Sequence, residues 1–510
     1  MLASHLSEGE HGCHMNFMKE MRARGFCGVF FAASVLCTCF PSLGEECPFA
    51  MRWEGRTVEL CAARVSAVPF NRVWPGKQRS KEQTRIAWFA NFDVASPGIL
   101  EVEIADVDFR IRPLSRRGPA IREGNVLKIA VSKPEQFVVE TGGTEIQVFA
   151  NPVFRRKAGE GDIHFGAGVH DAGVIEPKSG QSVVIDEGAV VYGSIFIHHA
   201  ENVTVTGRGI LDSSRIARAD HKSEQYRRAV AAGLSPDQYG AEMAVNCLTC
   251  HASTNVVIEG VTFRDSPRWT LIVRNASRNV AIDNVKMVGM WRYNSDGVDF
   301  CASENCSIRN SYIRTFDDCI VTRAPYLDGE TTPCRNIVAE NCVLWCDWGK
   351  NLEVWCGHVP CIVENVTYRN CRLVNISWMA CDITTRYGSP STNVKNVTVE
   401  NLEIDIPVKP MRECIQRSDG ETYPGGLQSR PKLLTVECGQ LGKNTGNQGI
   451  EAGVGAEAVN VTYENLVFRN FRVHGDACRE FLCDMQTEAG THYALRGLVV
   501  ENVPGANVKP

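Results

Sequence analysis

The chain has 510 residues, 22% charged and 44% hydrophobic, with a formal net charge of -5. That composition excludes wholesale disorder, a collagen-like chain and a coiled coil, and the length suffices for about two or three domains with a sizeable core. The mildly acidic balance, without a clustered basic patch, argues against nucleic acid as a partner, because phosphate binding needs concentrated positive charge.

Residues 15–45 read as an export signal. Lys19, Arg22 and Arg24 form a basic start, Gly25 to Phe40 is apolar and small, and Ser42-Leu43-Gly44 is a cleavage site before Glu45. The stretch is short for a membrane-spanning helix, and no other segment is long and apolar enough to be one. Residues 1–44 are therefore expected to be removed, the alternatives being an uncleaved anchor or a lipid attachment. The mature chain is expected to be a secreted or periplasmic monomer with no membrane span. Cleavage would take four of the 22 cysteines, leaving 18 in an oxidising compartment, where some disulfides are expected with undetermined pairing.

Residues 45–155 carry strand-like runs at Gly98–Ile104, Val126–Ile129 and Phe137–Glu140, separated by Gly and Pro turns. They predict a small antiparallel β-sandwich, with its border at Asn151-Pro152. Gly166 to Gly193 reads as the capping first coils of a second domain.

From about residue 200 one pattern recurs: Asn, an apolar residue, any residue, then a mostly apolar one. It begins at Asn202, Asn255, Asn279, Asn305, Asn336, Asn365, Asn396 and Asn460, with spacings of 53, 24, 26, 31, 29, 31 and 64. Alternation with period two marks each unit as a half-buried strand. Short strands repeating in this way make a solenoid. The predicted fold is all-β: a right-handed parallel β-helix over 156–510, preceded by the sandwich. Its insertions fall at 214–246, expected to carry a helix, and at 408–458, Gly-rich and irregular. Cys342 and Cys371 each follow their Asn by six residues, so they are expected to stack about 4.8 Å apart as structural neighbours. Cys247 and Cys250 have the spacing of half a zinc site, but the second half is missing, which leaves a local disulfide or plain thiols as the favoured reading.

The chemistry-bearing segments are Tyr293-Asn-Ser-Asp-Gly-Val-Asp299 and Thr315-Phe-Asp-Asp-Cys-Ile320. Asp296 and Asp317 are 21 residues apart, close to one coil, so Asp296, Asp317 and Asp318 can converge on one outer face. Taken singly, each is an ordinary turn aspartate. Taken together, their mutual repulsion raises at least one pKa, and a protonated acid beside an ionised base is what glycosidic cleavage requires. Trp269, Trp291, Tyr293, Trp345, Trp348 and Trp355 cluster on the same coils. Trp291 and Trp348 are the expected sugar-facing rings. His164, His170, His198, His199 and His358 show no metal-like spacing. Neither metal nor cofactor is expected.

Asn294-Ser-Asp296-Gly followed by Asp317-Asp318-Cys resembles the signature of the polygalacturonases, glycoside hydrolase family 28. Asp265-Ser-Pro-Arg-Trp269 and Gly207-Arg-Gly-Ile-Leu-Asp212 resemble segments of that family too. The chain is equally similar to the dextranase and isopullulanase family, family 49, through Val288 to Tyr293, Asn246 to Cys250, Phe165 to Val169 and a sandwich ahead of the β-helix. The resemblance implies an inverting glycoside hydrolase. Asp317 would be the general acid, Asp296 and Asp318 would activate the water, and Asn294 would orient Asp296 or the sugar. Where family 28 carries Gly-His-Gly, this chain reads Asp347-Trp-Gly-Lys-Asn-Leu-Glu353. Where that family carries Arg-Ile-Lys, the nearest segment is Asp382-Ile-Thr-Thr-Arg386. Lys350, Glu353 and Arg386 are therefore the candidate substrate-binding residues. The expected partner is a polysaccharide or oligosaccharide. A polysaccharide lyase and a non-catalytic glycan-binding β-helix are the competing readings.

Overall fold

A computed structural model describes residues 46–67, 70–71, 81–216, 246–324, 333–356, 362–377, 379–385, 392–406, 415–416, 432–438, 461–474 and 493–505. The export-signal segment, most of both insertions, His358 and Arg386 lie outside the described residues. Cys39–Pro510 form one compact unit. Among the described residues the single helical turn is Lys81–Gln83, and no helix is long and apolar enough to cross a membrane.

Two five-stranded sheets come first. One runs in the order Arg56–Val58, Ala50–Trp53, Gly98–Glu103, Val126–Val131, Ala120–Glu123, antiparallel throughout. The other runs Leu60–Ser66, Thr84–Asp93, Thr144–Asn151, Glu135–Thr141, Phe109–Arg112. It departs from the antiparallel expectation at one pair, Thr84–Asp93 with Thr144–Asn151, which is parallel. Alternation drives the packing. Leu100 and Val102 of the first sheet, with Ile129, share a core with Trp88, Ile146 and Val148 of the second.

Of the other strands, 27, from Ile163–Phe165 to Val499–Glu501, form one continuous parallel sheet wound into a right-handed β-helix, and Phe70–Asn71 pairs separately with Ile415–Gln416. Register stacks like on like. Val256, Val280, Cys306, Ile337, Val366 and Val397 occupy one inward row, coil upon coil, and all are buried.

The recurrent Asn sits at a left-handed bend, within a strand at every rung after Asn202, with φ near +56 to +60° from Asn202 to Asn396. A left-handed backbone costs Asn less than other side chains, and its amide can both donate and accept. Each Asn Nδ2 donates to the Asn one coil earlier, at 3.2 Å for Asn255 to Asn202 and 2.8 Å for Asn336 to Asn305. The ladder's next member is Asn465, which donates to Asn396 at 3.0 Å, and not the expected Asn460, which lies outside the described residues. Asn465-Leu-Val-Phe carries the same pattern five residues later, and the register pairs Lys395 with Glu464. Periodicity alone could not choose between the two.

No disulfide joins any two of the thirteen cysteines whose side chains are described, and the other five expected in the mature chain lie outside them. Cys247 and Cys250 point into the core against Ser213 and Ser277, and burial pushes both thiols up to about 12. No bridge joins the two, which leaves the plain-thiol alternative. Cys342 and Cys371 do stack, thiol to thiol.

The second sandwich sheet packs against the β-helix through Phe89, Val138 and Phe149, which meet Tyr192, Tyr312 and Trp345. At the centre of this contact Glu145 accepts from Arg85 at 2.9 Å and from Arg314, whose side chain is fully buried. Burial raises the Glu145 carboxyl, but the two guanidiniums outweigh it and hold the pKa below the usual range. Arg314 also lies 3.7 Å from Asp347 and 4.3 Å over Trp345. Trp345 is thus an anchor of the sandwich rather than part of the sugar-facing cluster.

Candidate active site

Three consecutive coils supply strands Val298–Cys301, Ile320–Ala324 and Lys350–Cys356. Phe300, Ile320 and Val354 face the coil interior. Period two sends their neighbours outward. One outward row holds Asp299, Val321, Glu353 and, a coil further, Asp382; the next holds Cys301, Arg323, Trp355 and Thr384. The turns leading into these strands stack too. Gly297 N donates to Asp318 O at 2.8 Å, and Cys319 N to Lys350 O at 2.8 Å. Asp296 consequently lies over Asp318, and Asp318 over Lys350, in the row that continues the register.

Arg323 is the hub of the site. Its guanidinium is 2.7 Å from Asp299, 2.9 Å from Asp296, 3.6 Å from Asp318 and 3.7 Å from Glu353. Trp269 and Trp355 lie against it at 5.8 and 5.6 Å. Lys350 is the second cation. Its backbone N–H donates to Asp318 Oδ1 at 2.8 Å, and its ammonium reaches Asp318 Oδ2 at 3.4 Å and Glu353 Oε1. Lys350 and Glu353 are therefore in the site, buried and paired with its other charges. Asn294 Nδ2 donates to Asp317 Oδ2 at 3.4 Å.

Of the three aspartates, Asp296 and Asp318 are buried and Asp317 is partly exposed. Burial, then the charges of Asp299 and Asp317, raise Asp296 well above the carboxylate range, and Arg323 offsets only part of this. Burial and Glu353 raise Asp318 likewise, with Lys350 opposing. Burial also lifts Asp299 to about 6 against the pull of Arg323. Five carboxylates around two cations must hold protons in common.

Gly349 is what lets the doublet close. A Cβ there would lie 2.5 Å from Asp317 Oδ1, 2.4 Å from Asp318 Oδ1 and 2.8 Å from Asp318 N. Gly349→Ala is expected to displace both carboxylates and lower kcat about 100-fold with the fold intact, read from steady-state kinetics beside a circular dichroism spectrum.

Trp348 adjoins Gly349 and stacks on Phe316 at 5.8 Å, while Trp291 lies by Asp265 and Arg292; the two are only 4% and 5% exposed. Only a sliver of either ring meets solvent. Arg323 escaped the sequence reading, and Asp299 and Trp355 were named there without a role at this centre. The available signal was a lone charge in each of two otherwise apolar strands, Val298–Cys301 and Ile320–Ala324, since a buried charge needs a partner.

The stretch of right-handed β-helix that carries this buried acidic centre is where the chain is similar to known proteins. Residues 186–411 match the family described as "Glycosyl hydrolases family 28". An exopolygalacturonase of Cochliobolus carbonum is 27% identical over 223 residues, 36% of this chain and 50% of that one. A protein named "Probable endopolygalacturonase D" of Neosartorya fischeri is 25% identical over 162 residues, 31% of this chain and 29% of its own length. The chain thus spans half or less of these curated relatives. Dex49A from Penicillium minioluteum shares the fold, with a TM-score of 0.51 at 13% identity, over 90% of this chain and 89% of that one.

Proposed function

We propose that this protein is an exported glycoside hydrolase that cleaves a polysaccharide or oligosaccharide with inversion. The observation that carries the reading is the contrast within one cluster. Asp317 is open to a ligand, while Asp296 and Asp318 sit buried behind it on a shared guanidinium. Asp317 gives its proton to the leaving oxygen as the C–O bond breaks. A water attacks the anomeric carbon from the opposite face, and the Asp296/Asp318 pair takes its proton. Arg323 keeps that pair able to ionise in a dry setting. Export follows from the reading of residues 1–44.

Arg323 and Lys350 are both engaged by the protein's own carboxylates. A uronic acid substrate would therefore need a further cation, for which Arg386 is the candidate. The test is a reducing-sugar screen of galacturonan, rhamnogalacturonan, dextran and pullulan, with NMR of the first-formed anomer. Inverted product supports the reading. A retained anomer, or no product from any glycan, defeats it.

Activity is expected to rise with pH as the Asp296/Asp318 pair, held well above the carboxylate range, ionises and can take the proton of water, which a pH–rate profile on the best substrate would show. Stability should move the other way. A carboxyl whose folded pKa is raised stabilises fully below its unfolded value of about 3.9, and that contribution is lost as pH climbs through the folded pKa. Tm measured at about pH 5 and about pH 8 should drop across the interval, and Asp299→Asn should flatten the drop.

A further inference from the structure

We propose that His198, His199 and His251 form a binding site for a divalent transition metal of the zinc type, separate from the acidic centre. Strand Ala189–His198 pairs in parallel with Leu248–His251, which sets His198 beside His251 on adjacent coils. His199 follows in a left-handed conformation (φ 47°), and its N–H donates to His251 O at 3.0 Å. Ring centroids lie 4.2 Å apart for His198 and His199, 5.1 Å for His198 and His251, and 5.6 Å for His199 and His251. One ligating nitrogen from each ring lies within 4.8 Å of the other two. Nitrogens sharing a tetrahedral zinc at about 2.0–2.1 Å sit about 3.3 Å apart, a gap that small rotations of the exposed His198 and His199 rings close.

His251 supplies the independent sign of a ligand. Its Nδ1 is buried and has no hydrogen-bond partner, while its Nε2 is held 2.9 Å from the Asn275 side-chain amide. An imidazole fixed through one nitrogen, with the other left unmatched, is how metal-bound histidines are oriented. With the Asn275 amide turned so that its oxygen accepts from Nε2–H, Nδ1 presents a lone pair. Arg274, next to His251 in register, opposes a cation; Glu176 acts on His198 in the other sense. The histidines are 53 residues apart across the 214–246 insertion, so a bound ion would clasp the two coils from which that insertion departs.

The test is calorimetric titration of the chelator-treated full chain with Zn²⁺, alongside Co²⁺ absorption spectra. Wild type is expected to bind one equivalent with a rise in Tm. His198→Ala and His199→Ala, both at exposed positions, should abolish that step while melting normally without metal. Asn275→Ala should weaken it about 10–100-fold. Co²⁺ should show nitrogen ligation without thiolate charge transfer. Unchanged zinc binding in either histidine variant, thiolate bands with Co²⁺, or no binding by wild type would each overturn the assignment.

Discussion

Asp317→Asn is expected to lower kcat about 100- to 10,000-fold, the usual contribution of a positioned general acid, without loss of fold. Asn keeps the shape of the side chain and its contact with Asn294. It removes one of the charges that raise Asp296 and Asp318, so Tm should hold or increase. Kinetics on the best substrate of the screen, paired with a thermal melt, checks both halves. Ordinary turnover in the variant would remove Asp317 from the chemistry. Unsaturated, ultraviolet-absorbing products from the wild type would indicate elimination and a lyase instead. Binding without product over long incubation would indicate a glycan-binding protein.

The second large effect belongs to Arg323. Arg323→Gln leaves Asp296, Asp299, Asp318 and Glu353 with Lys350 as the neighbouring cation. Removing one partner from a buried charge network costs about 3–5 kcal/mol. The orphaned carboxylates can take up protons, so the loss should be smaller at about pH 5 than at about pH 7, as denaturant titrations at the two values would show. Turnover should also collapse, because protonated Asp296 and Asp318 cannot accept a proton from water. Arg323→Lys should recover part of the stability but little of the activity, since an ammonium cannot reproduce the fork that spans Asp296 and Asp299. A Gln variant as stable as the parent would mean that the guanidinium is not the keystone of this centre.

The solenoid was legible because its coils repeat a local rule. An Asn that tolerates a left-handed bend is followed by an alternating strand, and each copy predicts the next. The convergence of Asp296 with Asp317 and Asp318 was legible for the same reason, since their spacing approximates one coil. Arg323 was not legible, because its meaning comes from Asp299 one coil earlier and Glu353 one coil later, at unequal spacings of 24 and 30 residues. His198 and His251 were hidden by the insertion between their coils. The ladder slipped at its last expected rung because two matching tetrads compete within six residues. Glu145 and Arg314, 169 positions apart, obey no period at all.

That last pair has a consequence for how the protein can be cut or recombined. Arg314 stands three residues ahead of Asp317, and its guanidinium reaches Asp347, two residues ahead of Gly349. The leading sheets thus supply the counter-ion beneath the two turns that shape the acidic doublet. A shortened chain that kept every coil and discarded the sheets would leave Arg314 facing water and Asp347 without its present balance. Sheets and solenoid are accordingly expected to be inherited, exchanged and engineered as a single piece.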